Sequence, residues 1–132
     1  MRIKWICLNI MLLAIAVIGQ GCVAAAVGLG AAGTIAYVRG DLESKESKNI
    51  EVVYSAALVA AEQLELRVIS KSKDALSATI IARDAQDKKI EIKMNAASEQ
   101  TTKLSIRVGT FGDETKSQLI YQKIYNNLHP YK

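Results

Sequence analysis

LSATIIARDAQDKKIEIKMNAASEQTTKLSIRV, residues 76–108, decides the fold. Leu76, Ala78, Ile80 and Ala82 recur at every second position. Ile90, Ile92, Met94 and Ala96 then alternate with Glu91, Lys93 and Asn95, and Leu104, Ile106 and Val108 alternate with Ser105 and Arg107. Successive side chains of a strand point to opposite sides, so a period of two gives each segment one apolar and one polar face. Segments of this kind joined by short polar links, such as Asp84 to Lys88, make an antiparallel sheet covered on one side only.

The period changes on either side of this stretch. Upstream, Leu66 and Val68 alternate with Arg67 and Ile69 in one more strand, which ends in the polar run Ser70 to Asp74. Before it, Ile50, Val53, Tyr54, Ala57, Leu58, Ala61 and Leu64 recur at three- and four-residue intervals, the apolar face of a helix over 50–65. Asn49 is its N-cap, and Glu51 lies in the first turn, where the helix dipole favours a carboxylate. Downstream, Asp113 caps a last helix whose buried side is Ile120, Tyr121, Ile124 and Leu128, and Pro130 ends it. Residues 41–49, DLESKESKN, alternate poorly and read as either an edge strand or a linker. The expected fold is α+β in two layers, with order (β)αββββα. An antiparallel sheet of four strands, or five with the edge strand, carries both helices on its apolar face.

The first 40 residues read differently. Arg2 and Lys4 precede an apolar run over 5–18 and the small residues Gly19-Gln20-Gly21, the three-part layout of an export signal. Fourteen helical residues span about 21 Å, short of the roughly 30 Å hydrocarbon core, which disfavours a standing membrane helix. Gly21-Cys22 resembles a bacterial lipobox, although Gly19 stands where an aliphatic residue is usual. The expected organisation is a signal peptide over 1–21, lipidated Cys22 with a Gly/Ala-rich membrane-proximal segment over 22–40, and a small domain over 41–132. A cut near Ala24–Ala26 without lipid and an uncleaved anchor are the alternatives. Val23, in a position where Asp often retains lipoproteins at the inner membrane, points by analogy to the outer membrane, facing the periplasm.

Composition narrows the function classes. The 132-residue chain has a formal charge of +4, but Arg2 and Lys4 belong to the export segment, leaving 15 cations against 13 carboxylates. That surplus does not argue for nucleic acid as a partner. No cysteine follows Cys22, so the domain is held by packing alone. Gly28-Leu29-Gly30-Ala31-Ala32-Gly33 matches a dinucleotide fingerprint in letters only, since it lacks a preceding strand and a βαβ unit. The same stretch repeats small residues every four positions, which suits close helix packing in lipid or against a second copy, and equally a tether. His129, the one histidine, has nothing near it in sequence to orient it, and no His/Cys cluster has metal-ligand spacing. The acid pairs Asp84/Asp87 and Asp113/Glu114 sit at turns or caps.

GCVAAAVGLGAAGTIAYVRGDLE (21–43) and SIRVGTFGDE (105–114), with the helix before KSKDALSATIIARD, resemble a family of small bacterial lipoproteins catalogued as domain of unknown function 3568. The resemblance covers nearly all of 21–128, and VGTFGDE is its most specific block. It implies an exported lipoprotein of α+β fold and no activity.

The expectation is therefore a membrane-anchored, non-enzymatic envelope protein with no catalytic residue, metal or cofactor. Its partner is an envelope protein or a second copy. The candidate contact element is the turn Gly109, Thr110, Phe111, Gly112, where glycine supplies unusual backbone angles. Its G-x-x-G spelling also occurs in nucleic-acid-binding KH domains, but Asp113 and Glu114 would repel phosphate there. The basic residues Lys71, Lys73, Lys88, Lys89, Lys93, Lys103 and Arg107 read as a solvated face, or as weak attraction to anionic lipid or polysaccharide. A second expectation is a small-ligand carrier, with Tyr54, Tyr121 and Tyr125 lining an apolar cleft between helices and sheet.

Overall fold

A computed structural model describes residues 35–131. Its elements run β1 (Ala36–Val38), β2 (Asp41–Glu46), α1 (Ile50–Gln63), β3 (Arg67–Lys73), β4 (Ser77–Arg83), β5 (Lys89–Ser98), β6 (Thr101–Val108) and α2 (Glu114–Leu128). The strands form one antiparallel sheet in the order β1-β2-β6-β5-β4-β3. β3 to β6 make a meander, and β2 lies beside β6, so α1 carries the chain back across the sheet to its far edge. α1 packs on β4 and β5, and α2 on β6 and β2, with the helices against each other.

The alternation read from the sequence is the core, except that Leu76, just before β4, and Val68, on the edge strand, are exposed. Ile80, Ile92, Ile106 and Leu42 stand opposite one another across β4, β5, β6 and β2, each 0% exposed. A second row runs Ala78, Met94, Leu104 and Ser44. From the helices come Val53, Ala57 and Ala60 of α1 and Ile120, Tyr121 and Ile124 of α2. The alanines of α1 bring its backbone close to the sheet, since they add little bulk at the contact. The caps are as read: Asn49 Oδ1 accepts from the Val52 N–H at 3.0 Å, and Asp113 Oδ1 from the Lys116 N–H at 3.0 Å.

The sheet has six strands where four or five were expected, and the difference lies in residues 36–46. DLESKE is a full strand flanked on both sides, neither an edge nor a linker. Its inward positions are Leu42, Ser44 and Glu46, so two polar residues face the core and the hydrophobic period disappears. β1 is drawn from the uncharged stretch, and the sheet thus starts at Ala36 and not at 41. β3 also runs on through Ser70 to Lys73, because an edge strand exposed along its whole length has no need of apolar alternation.

Glu46 is only 3% exposed. The Ser44 hydroxyl donates to its Oε1 at 2.8 Å and the Tyr121 hydroxyl donates to the same oxygen at 3.0 Å. A buried carboxylate is tolerated only when hydrogen bonds replace its lost hydration. Burial, and after it the charge of Glu46, push the Tyr121 phenol well above its ordinary 10.0.

Two outcomes follow. Above pH 10 the unfolded chain releases the Tyr121 proton while the folded chain keeps it. Folding stability is therefore expected to fall by about 1.4 kcal/mol per pH unit beyond that point. Chemical denaturation across this range checks it, and Tyr121→Phe is expected to lower stability by about 1–3 kcal/mol at neutral pH and to flatten the alkaline loss. The end of α1 supplies the other. The Leu66 N–H donates to Ala61 O and the Glu65 N–H to Glu62 O, a Schellman closure that puts exposed Glu65 at φ 55. Glu65→Gly removes the left-handed strain and is expected to add about 1 kcal/mol, read as a raised thermal midpoint.

Candidate functional site

Three connections meet at one end of the sheet: the β1–β2 turn, the β4–β5 turn, and the Gly109–Gly112 turn leading into α2. The first is a two-residue hairpin loop, since Val38 pairs with Asp41, and Arg39 and Gly40 both have positive φ (52 and 89). Such turns match the right-handed twist of the strands they join. In the third, Gly109 and Gly112 have φ of 72 and 85.

The two glycine turns touch backbone to backbone. A Cβ on Gly40 would stand 2.7 Å from the Phe111 carbonyl oxygen. One on Gly112 would fall on the Gly40 backbone and the Tyr37 hydroxyl. Only glycine meets both the angle and the space at these positions. Arg107 then ties the pieces together. Its Nη1 donates to Asp41 Oδ1 at 2.9 Å and to the Arg39 carbonyl at 3.2 Å, and its Nη2 donates to the Thr110 carbonyl at 2.9 Å. The Gly109 N–H donates to the Lys89 carbonyl at 2.7 Å.

The β4–β5 turn joins the same assembly. Asp84 accepts from Lys116 Nζ at 2.7 Å and from the backbone N–H groups of Lys88 and Gln86. The Lys116 hydrogen bond, then that from the Lys88 N–H, holds its carboxyl below the usual range. The turn is thereby fastened to the first turn of α2. Phe111, by contrast, is 91% exposed at the tip of this braced end. Beside it an open cavity of about 770 Å³ spreads over the outer sheet face, with Arg83, Lys88, Lys89, Glu91 and Arg107 in its wall.

Gly109 to Gly112 thus lie together in one turn, while Cys22 lies outside the described residues. Among the basic residues, Lys93 sits 3.2 Å from Glu91, Lys103 3.5 Å from Glu43, and Lys88 3.7 Å from Asp113, a solvated face laced with ion pairs. Lys71 and Lys73 instead stand opposite Ile80 and Ala78, towards the helix side. Of the tyrosines, Tyr121 is spent on Glu46 and Tyr54 lies under Lys73 Nζ at 5.5 Å, and the three cavities described are lined by other residues. His129 stacks on Tyr125 with ring centroids 4.4 Å apart. No group of three or more His, Cys, Asp or Glu among the described residues could hold a metal ion.

Sequence reading missed Arg39, Gly40 and Arg107 as parts of this site. The signal was there: an Arg-Gly pair before a strand, and an arginine two residues before a glycine turn. The braced geometry predicts that Gly112→Ala costs more than about 2 kcal/mol, from left-handed strain and collision with Gly40 together, measured by urea denaturation. Thr110→Ala, with an exposed side chain, serves as the near-neutral control.

A search of curated proteins finds no relative. A family model does match, over residues 5–127, a range that takes in both glycine turns and every element described but for the last residue of α2. The chain belongs to the family described as protein of unknown function (DUF3568).

Proposed function

We propose that the chain is a lipid-anchored protein of the bacterial cell envelope and acts as a non-enzymatic interaction module, with the 109–112 turn as its contact element. One observation carries this reading: a large apolar side chain, Phe111, is 91% exposed on a turn held rigid by Gly40, Gly112 and Arg107. An aromatic residue presented on a braced backbone loses little backbone entropy on binding, as interface anchors do. The polar groups around it are committed to bracing the fold: Asp84 to Lys116, Arg107 to Asp41, and Asp113 to the helix cap.

Anchoring at Cys22 is supported by the residues before it, a basic start, a short apolar run and Gly21, and Val23 favours the outer membrane, facing the periplasm. No helix among the described residues is long and apolar enough to cross a membrane. The β1 strand begins 14 positions after Cys22, so the acylated residue and the domain are joined by a short uncharged segment.

The test has two arms. Intact mass spectrometry of the membrane-extracted protein is expected to show loss of residues 1–21 and a gain of acyl mass, both absent in Cys22→Ala; an unmodified precursor mass refutes the anchor. A photoreactive amino acid at position 111 is expected to crosslink a defined envelope protein in intact cells, whereas one at exposed Gln122 on α2 is not. Equal labelling from both positions refutes the contact role of the turn.

A further inference from the structure

Charge is not evenly spread over the outer sheet face. At the β1–β2–β6 side Arg107 meets Asp41 at 2.9 Å and Lys103 meets Glu43 at 3.5 Å, which leaves Lys45, opposite Lys103, as the surplus cation. At the β3–β4–β5 side the surplus is larger. Arg67, Arg83 and Lys89 stand in one cross-strand row, directly opposite one another in register. Like charges in that position repel. Among the described residues Asp87 pairs with both arginines, at 3.0 Å from Arg67 and 3.5 Å from Arg83, with Glu65 and Asp84 bordering the same surface. Glu91 likewise serves both Lys89 at 3.6 Å and Lys93 at 3.2 Å. Each carboxylate is shared between two cations, and the excess positive charge collects in the wall of the cavity beside Phe111. These side chains are largely in water, 69% exposed for Arg67, 40% for Arg83 and 51% for Lys89, so an incoming anion reaches them without displacing buried structure.

We propose that this corner receives an acidic polypeptide segment of a protein partner, its carboxylates on the Arg67–Arg83–Lys89 row and an apolar side chain against Phe111. The inference rests on the reading of the 109–112 turn as the contact element and adds the chemistry of what it contacts. A polypeptide fits better than a lipid surface because the row borders a concavity, into which side chains can reach. Complementary charge here sets association rate and selectivity, and it weakens with salt.

The experiment uses the full chain in nanodiscs of neutral phosphatidylcholine. Its probes are two fluorescein-labelled peptides, one alternating Leu and Glu, the other Leu and Lys, with binding followed by anisotropy. The Leu/Glu peptide is expected to bind more tightly, and progressively less so as salt is added. The double variant Arg83→Glu, Lys89→Glu is expected to weaken it about tenfold, whereas Lys103→Gln leaves it unchanged. Thermal melting confirms that the variants fold. No binding of the acidic peptide, equal affinity for both peptides, or indifference to the double reversal overturns the inference. So does a double reversal that abolishes sedimentation with anionic phosphatidylglycerol vesicles while sparing the peptide, since the row is then a lipid contact. Crosslinks from position 111 that persist when peptide binding ignores charge leave the proposed function standing and remove only this step.

Discussion

The sheet depends on how it accommodates Glu46. A carboxylate facing the core is costly unless donors replace water, and here two hydroxyls converge on one of its oxygens, from Ser44 on the same strand and from Tyr121 on α2. Opposite Glu46 on β6 stands Thr102, whose hydroxyl donates to the Lys48 carbonyl at 2.8 Å and holds the chain leaving β2. These contacts allow a strand reading DLESKE to lie between β1 and β6 instead of fraying into solvent. They also fix the position of α2 along the sheet, because Tyr121 reaches Glu46 in only one register of helix on strand.

The braced end with Phe111 follows from that placement. With β2 beside β6, the β1–β2 hairpin arrives next to the turn that leaves β6. Gly40 and Gly112 then meet at backbone distance, with no room for a Cβ on either. Arg107 lies on the outer face of β6 opposite Asp41 and spans both turns from there. The rigidity that presents Phe111 is thus assembled from parts about 70 positions apart in the chain. It would not exist if β2 were a linker.

This order of dependence explains what was legible in the sequence. Ile90, Ile92 and Met94 announce themselves, since burial on one side and water on the other impose a period of two. The helices are equally plain, because Asn49 and Asp113 are cap residues followed by apolar residues at helical spacing. β2 was not, since its core-facing Ser44 and Glu46 are satisfied by each other and by Tyr121 on α2, which no local pattern reveals. β3 was cut short for the opposite reason: with water on both faces, nothing selects for alternation. Of the site, the glycines of 109–112 were visible as a turn, but that Gly112 needs to be small because of Gly40 is a fact of tertiary contact.

The edges of the sheet bear on how such a protein meets others. An open edge invites any extended chain to add as a further strand, and both edges here are made poor templates. β1 offers only three residues. β3 is interrupted by a bulge between Val68 and Ser70, and it turns Lys71 and Lys73 towards the apolar side, where a strand added flat against it would have to bury their charge. Lys73 is further held by Glu51 and sits over the Tyr54 ring, which fixes an ammonium at the rim of the edge. Indiscriminate edge pairing is suppressed on both sides, and the helices occupy the inner face. Under the proposed contact role of the braced end with Phe111, recognition would rest on side-chain shape and charge, which distinguish one partner from another, instead of on backbone hydrogen bonds, which do not.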